Sequence, residues 1–141
     1  MSHAVILDAQ SLGPGINLSA IRESVTHLEV FEQSTTQQAL ERLANADIAI
    51  VNKVVLDAET LQQLPKLRLI CVLATGLNNI DLETAKEQNI EVKNVAAYGT
   101  ASVSQHTLML MLTLANRLPL YQRDVAAGEW QRSAFFCLQD Y

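Results

Sequence analysis

Residues 71–81, Cys71-Val72-Leu73-Ala74-Thr75-Gly76-Leu77-Asn78-Asn79-Ile80-Asp81, decide how the chain is read. An apolar run fit for a buried strand stops, without a polar ramp, at Ala74-Thr75-Gly76. Asn79 or Asp81 then caps a helix expected to run through Gln88. Small residues in such a turn let several backbone N–H groups point outward together, and glycine removes the Cβ that would block close approach. Two readings follow. Gly76 either supplies a positive φ in a tight bend, or it opens a backbone cradle for an anion.

The same alternation extends to both sides. Residues 4–7, 27–31, 48–51, 67–73 and 90–94 read as five short strands. Between them, helices are expected at 18–24 after the Gly13-Pro14-Gly15 loop, from the Ser34-Thr35-Thr36 cluster through Asn45, and at 57–64, where Pro65 closes the segment. Strands and helices in alternation with short loops predict a flavodoxin-like α/β fold, a five-stranded parallel sheet doubly wound with helices. Ligands of such sheets bind beyond the carboxyl ends of the strands. That rim holds Asp8-Ala9, Asn52-Lys53, Ala74-Thr75-Gly76 and Ala96-Ala97-Tyr98. Lys53 can neutralise an anion held by the turn, although a lysine there equally suits a solvated surface. Tyr98 offers a phenolic donor or a packing ring. Lys53, Tyr98 and the turn converge on a small anion, most simply a carboxylate.

Composition narrows the partners. The 141 residues, 49% hydrophobic and 18% charged, suffice for one ordinary domain or one plus an appendage. A net charge of −5 without a Lys/Arg cluster argues against nucleic acid and against a polybasic membrane patch. No apolar run approaches the ~18 residues of a membrane span, and residues 1–8 lack the pattern of a signal peptide. A cytoplasmic protein is expected. Cys71 and Cys137 have no metal-ligand spacing and read as reduced, non-catalytic thiols; no metal site is expected.

Residues 51–117, VNKVVLDAETLQQLPKLRLICVLATGLNNIDLETAKEQNIEVKNVAAYGTASVSQHTLMLMLTLANR, followed by Gly128-Glu129-Trp130, resemble the amino-terminal part of the D-isomer-specific 2-hydroxyacid dehydrogenases. The Asn52-Lys53 pair, the Leu73-Ala74-Thr75-Gly76 turn and the run from Tyr98 to His106 are most similar to the glycerate dehydrogenase, or hydroxypyruvate reductase, branch. The resemblance covers essentially the whole chain. It implies that Ala74, Thr75 and Gly76 give main-chain N–H groups to a substrate carboxylate, that Thr75 also lies near the nicotinamide, and that Lys53 and Tyr98 line the substrate cleft. It further implies a small 2-keto or 2-hydroxy acid as substrate, NAD or NADP as cofactor of the intact parent, and a homodimer.

The family's Rossmann domain carries a glycine-rich fingerprint that cradles the pyrophosphate. Glycine occurs here only at 13, 15, 76, 99 and 128, and Leu18 stands where Gly13-Pro14-Gly15 would need the third glycine. The family's catalytic arginine, glutamate and histidine belong to a downstream segment, and His3, His27 and His106 do not occupy matching places. His106, read near a helix start, suits packing or capping. No catalytic residue is assigned. The expected organisation is a substrate-binding domain at 1–99, followed at 100–141 by an interdomain or dimerisation helix and the start of a cofactor domain cut before its fingerprint. A helix is expected from Ala101 to about Asn116; its segment 108–115 is apolar nearly all round and needs partners on more than one side. Trp130, Phe135 and Phe136 add exposed apolar area. The fragment is expected to bind no dinucleotide tightly and to be inactive by itself. The alternative is a stand-alone flavodoxin-like ligand-binding or regulatory module without turnover.

Overall fold

The computed structural model of the chain describes residues 2–134. Strands β1 (His3–Ile6), β2 (His27–Val30), β3 (Ile48–Val51), β4 (Leu69–Val72) and β5 (Glu91–Asn94) form one parallel sheet in the order β2-β1-β3-β4-β5. Helices α1 (Ser19–Ser24), α2 (Thr36–Leu43), α3 (Ala58–Gln62) and α4 (Leu82–Glu87) make the crossovers. The predicted flavodoxin-like fold is the one observed. Strand order reverses between β1 and β3, and the exits of these strands flank the place where sheets of this kind receive ligands.

Alternation along each strand sorts the core into two faces. Val5, Ala49, Val51, Ile70 and Val72 pack with Ala39 and Leu43 of α2, Leu61 of α3 and Ala85 of α4. Ala4, Ile6, Leu28 and Ile50 pack on the other face with Leu18, Val25 and Ile21 of α1. Complete burial of a side chain such as Leu61 is worth about 1.5–3 kcal/mol.

Helix starts follow local chemistry. Thr35 caps α2 in a reciprocal pair with Gln38, the Gln38 N–H reaching Thr35 Oγ1 at 3.2 Å and the Thr35 N–H reaching Gln38 Oε1 at 3.0 Å. Asp57 accepts the N–H of Thr60 at 2.9 Å to cap α3. Of the two candidates for α4, Asp81 is the cap, accepting from the Thr84 N–H at 2.8 Å.

The chain divides after Ala97 into two compact units. The second contains α5 (Thr100–Ala115) and α6 (Leu118–Ala126). No residue of α5 is buried, and Leu108, Met111, Leu112 and Leu114 are each more than half exposed. Helix α6 was not anticipated, and it carries Pro119 in its first turn. In the first turn its missing N–H would have had no partner in any case, so proline is tolerated there. A 3-10 turn at Ala9–Leu12 was also unforeseen. Trp130 is half exposed; Phe135, Phe136 and Cys137 lie outside the described residues.

Candidate functional site

The rim of the first unit is organised by Asp8. β1 hands over through Leu7, whose N–H bonds to the Ile50 carbonyl at 3.0 Å, to a buried aspartate. Its carboxylate accepts the backbone N–H of Asn52 at 2.9 Å, of Lys53 at 2.5 Å and of Val54 at 3.1 Å. Three consecutive amides thus converge on one side chain, and charge-assisted bonds of this kind are roughly twice as strong as neutral ones. The Ser11 hydroxyl donates to the Asp8 carbonyl at 2.7 Å and accepts from Asn52 Nδ2 at 2.9 Å.

Asn79 holds the same segment from the other side. Its Nδ2 donates to the Val54 carbonyl at 2.9 Å, and its own carbonyl accepts the Leu56 N–H at 2.9 Å. The Asp81 N–H completes a short parallel bridge by donating to the Leu56 carbonyl at 3.0 Å. Asn79, a candidate cap in the sequence, therefore acts as a strap. Lys53 has a pinned main chain and an exposed side chain, and no described carboxylate pairs with it.

At the exit of β4, Leu73 prolongs the sheet by donating to the Val51 carbonyl at 2.8 Å, and the chain then bends. The Ala74 carbonyl accepts the Val95 N–H at 3.1 Å, and the Thr75 carbonyl accepts Asn94 Nδ2 at 2.7 Å. Thr75 Oγ1 donates to the Val95 carbonyl at 3.0 Å. The acceptors of the turn are thereby tied to the exit of β5. The N–H groups of Ala74, Thr75 and Gly76 have no acceptor among the described residues, and Thr75 and Gly76 are exposed. Gly76 does not adopt a positive φ; the glycines that do are Gly13, Gly15 and Gly128. The tight-bend explanation of Gly76 is overturned, and close approach remains. A Cβ at position 76 would stand 3.1 Å from Asn78 Oδ1, the end of an exposed side chain able to move aside.

The other singled-out residues fall elsewhere. Tyr98 belongs to the second unit, directly before Gly99, the residue that precedes α5, and is 69% exposed. His106 lies in the interior of α5 and is exposed, so the expected packing or capping role is corrected. Cys71 is half-buried on β4; burial, with a smaller contribution from the Glu91 carboxylate, pushes its thiol above the ordinary value and disfavours the thiolate. The role of Asp8 was missed because its partners are 44 to 46 residues away, where spacing carries no signal.

This doubly wound unit, with the unpaired amides of residues 74–76 at one strand exit, has the fold of a family. The chain belongs to the D-isomer specific 2-hydroxyacid dehydrogenases, whose catalytic-domain profile matches residues 7–136. It is 41% identical over 138 residues to a Haemophilus influenzae protein assigned to the 2-hydroxyacid dehydrogenases, covering 97% of this chain and 43% of that one. It is 39% identical over 140 residues to the glycerate dehydrogenase of Methylorubrum extorquens, with 97% and 43% covered. To the hydroxypyruvate reductase of Blautia hydrogenotrophica it is 33% identical over 141 residues, with 97% and 44% covered. The chain thus spans less than half the length of these relatives. Among solved structures, the D-lactate dehydrogenase of Aquifex aeolicus, complexed with NAD and lactic acid, superposes with a TM-score of 0.76 at 23% identity, covering 99% of this chain and 39% of that one, a likeness of fold. Among the described residues no helix is long and apolar enough to cross a membrane.

Proposed function

We propose that this chain is the substrate-binding part of a cytoplasmic, NAD(P)-dependent D-2-hydroxyacid dehydrogenase of the glycerate dehydrogenase or hydroxypyruvate reductase type. The reading is carried by the N–H groups of Ala74, Thr75 and Gly76, which have no acceptor among the described residues, while the carbonyls of Ala74 and Thr75 are engaged by the exit of β5. A carboxylate of a 2-keto acid fits such a donor set, because a planar anion accepts several amide hydrogens at once. Lys53, held by its main chain to Asp8, supplies charge to the same ligand. Tyr98 lines the cleft, and Thr75 also faces the nicotinamide, as the family resemblance implies. Two relatives, a glycerate dehydrogenase and a hydroxypyruvate reductase, support the choice of substrate class.

Among the described residues the glycines do not make a dinucleotide fingerprint. Gly13 and Gly15 precede a helix of six residues, and Leu18 fills the third fingerprint position. In this proposal a Rossmann domain of the intact protein holds NAD or NADP, which supplies or takes up the hydride, together with the group that moves the proton. The present residues bind the acid and fix its orientation. α5 belongs to the interdomain and homodimer region.

Steady-state assay of the intact protein with hydroxypyruvate and NADH or NADPH tests the proposal. Substrate-dependent, saturable loss of reduced-cofactor absorbance is expected of the intact protein, and none of the 141-residue chain. An intact protein that folds and binds 2-keto acids yet shows no turnover would favour a regulatory module instead.

A further inference from the structure

The end of the sheet away from the rim carries a second cluster. Parallel register sets His3 of β1 directly beside His27 of β2, and Glu29 follows two residues later on the same face. Glu29 Oε1 lies 2.7 Å from His3 Nε2 and 3.6 Å from His27 Nε2. The two imidazole centres are 4.9 Å apart, and one ligand atom from each of the three side chains falls within 4.8 Å of the others.

The second nitrogen of His3 makes this more than a surface grouping. Nδ1 stands 3.2 Å from the Asn45 carbonyl oxygen, so His3 faces an acceptor on both sides. A neutral imidazole has one N–H, and either tautomer leaves one of these contacts without a hydrogen. A cation on Nε2, with Nδ1–H donating to the carbonyl, satisfies both. Donation from the far nitrogen to a backbone carbonyl is also what orients metal-binding histidines. Among the described residues no Lys or Arg pairs with Glu29. A proton shared by His3 and Glu29 has no use for the second imidazole, whereas a metal ion takes all three donors.

We propose that His3, His27 and Glu29 bind one zinc-class divalent cation through two imidazole nitrogens and a carboxylate oxygen, with a coordination position left to solvent. Zinc bonds of about 2.0–2.2 Å require the 2.7 Å contact to widen by about half an ångström. The side chains of His27 and Glu29, 64% and 40% exposed, have the freedom to do so. The ion clips edge strand β2 to β1 and takes no part in hydride transfer.

Calorimetric titration of the tag-free, EDTA-treated full chain with zinc chloride, with melting temperature as a second readout, tests the assignment. One saturable zinc per chain and a rise in melting temperature are expected. His27→Ala and Glu29→Gln, both at exposed or half-exposed positions, should each weaken binding by about tenfold or more, with the fold verified by circular dichroism. His106→Ala and Cys71→Ser should leave binding unchanged. Absence of zinc binding would mean that the cluster holds a proton only. Binding that survives His27→Ala and Glu29→Gln, or disappears in Cys71→Ser or His106→Ala, would place zinc elsewhere; each of these results overturns the proposal.

Discussion

The main-chain N–H of Lys53 lies 2.5 Å from the Asp8 carboxylate, across 45 positions of sequence. The acid is buried and also receives the amides of Asn52 and Val54, so the exit of β3 is shaped by a side chain at the exit of β1. Asp8→Ala leaves these donors without their shared acceptor, and the expected loss of stability is about 2–4 kcal/mol. Asp8→Asn keeps the shape, but it turns an NH2 group against N–H donors and should recover only part of the loss. Urea denaturation reads both effects. Native stability in Asp8→Ala would contradict the assignment, because no side-chain oxygen would then be left for the three amides.

Asp57 predicts a weak acid-limb dependence. Its bonds to Thr60, the side-chain contribution being larger, hold its carboxyl below the ordinary 3.8. A depressed value stabilises the fold above the unfolded-state value, and that contribution is lost as pH falls through the folded one. Asp57→Asn, which retains an N-capping oxygen, should therefore flatten the fall of melting temperature with acid. An unchanged acid limb would count against the contribution of this cap.

Cys71 should be sluggish towards alkylation. Burial, then the Glu91 carboxylate, raises its thiol above the ordinary 9.0, which lowers the thiolate fraction at any mildly alkaline pH. In a Cys137→Ser background, iodoacetamide should react more slowly with the native chain than with free cysteine, and faster after Glu91→Gln. A native rate equal to that of free cysteine contradicts the assigned environment.

The exposed apolar surface of α5 predicts self-association. Burial returns about 25 cal/mol per Å2 of apolar surface, and Leu108, Leu110, Leu112 and Leu114 are all exposed. Sedimentation of the 141-residue chain should show mass increasing with concentration, and Leu110→Glu should shift it towards monomer. A chain that stays monomeric at high concentration sinks this expectation.

Whereas β2 and β5 alternate apolar with polar residues, β1, β3 and β4 were legible because each is largely a short apolar run ended by turn chemistry, as 48–51 is by Asn52-Lys53. Their predicted ends ran long where hydrophobicity continues past pairing: Leu67 and Leu73 flank β4 without belonging to it. The turn itself was visible in Ala74-Thr75-Gly76, where small residues end an apolar run, and the positive φ that one reading gave Gly76 is not adopted. The clamp by Asp8 was not visible, nor was the strap by Asn79, because both depend on contacts that only strand order creates. Helix α6 was not read from the sequence; its Pro119 sits in the first turn, where a missing N–H costs no hydrogen bond.

Hydroxypyruvate and glycolaldehyde share a hydroxymethyl group and a reacting carbonyl and differ by the carboxylate, so the ratio of their kcat/KM values measures the anion site of the intact protein. Charge-assisted contacts worth roughly 1.5–3 kcal/mol each place that ratio at about one to two decades or more in favour of hydroxypyruvate. Gly76→Val, which puts a branched side chain over the amides, and Lys53→Ala, which removes the charge, should each collapse the ratio by lowering hydroxypyruvate turnover while glycolaldehyde turnover holds. Folded variants that keep the parental ratio would contradict the assignment of residues 74–76 and Lys53 to the substrate carboxylate.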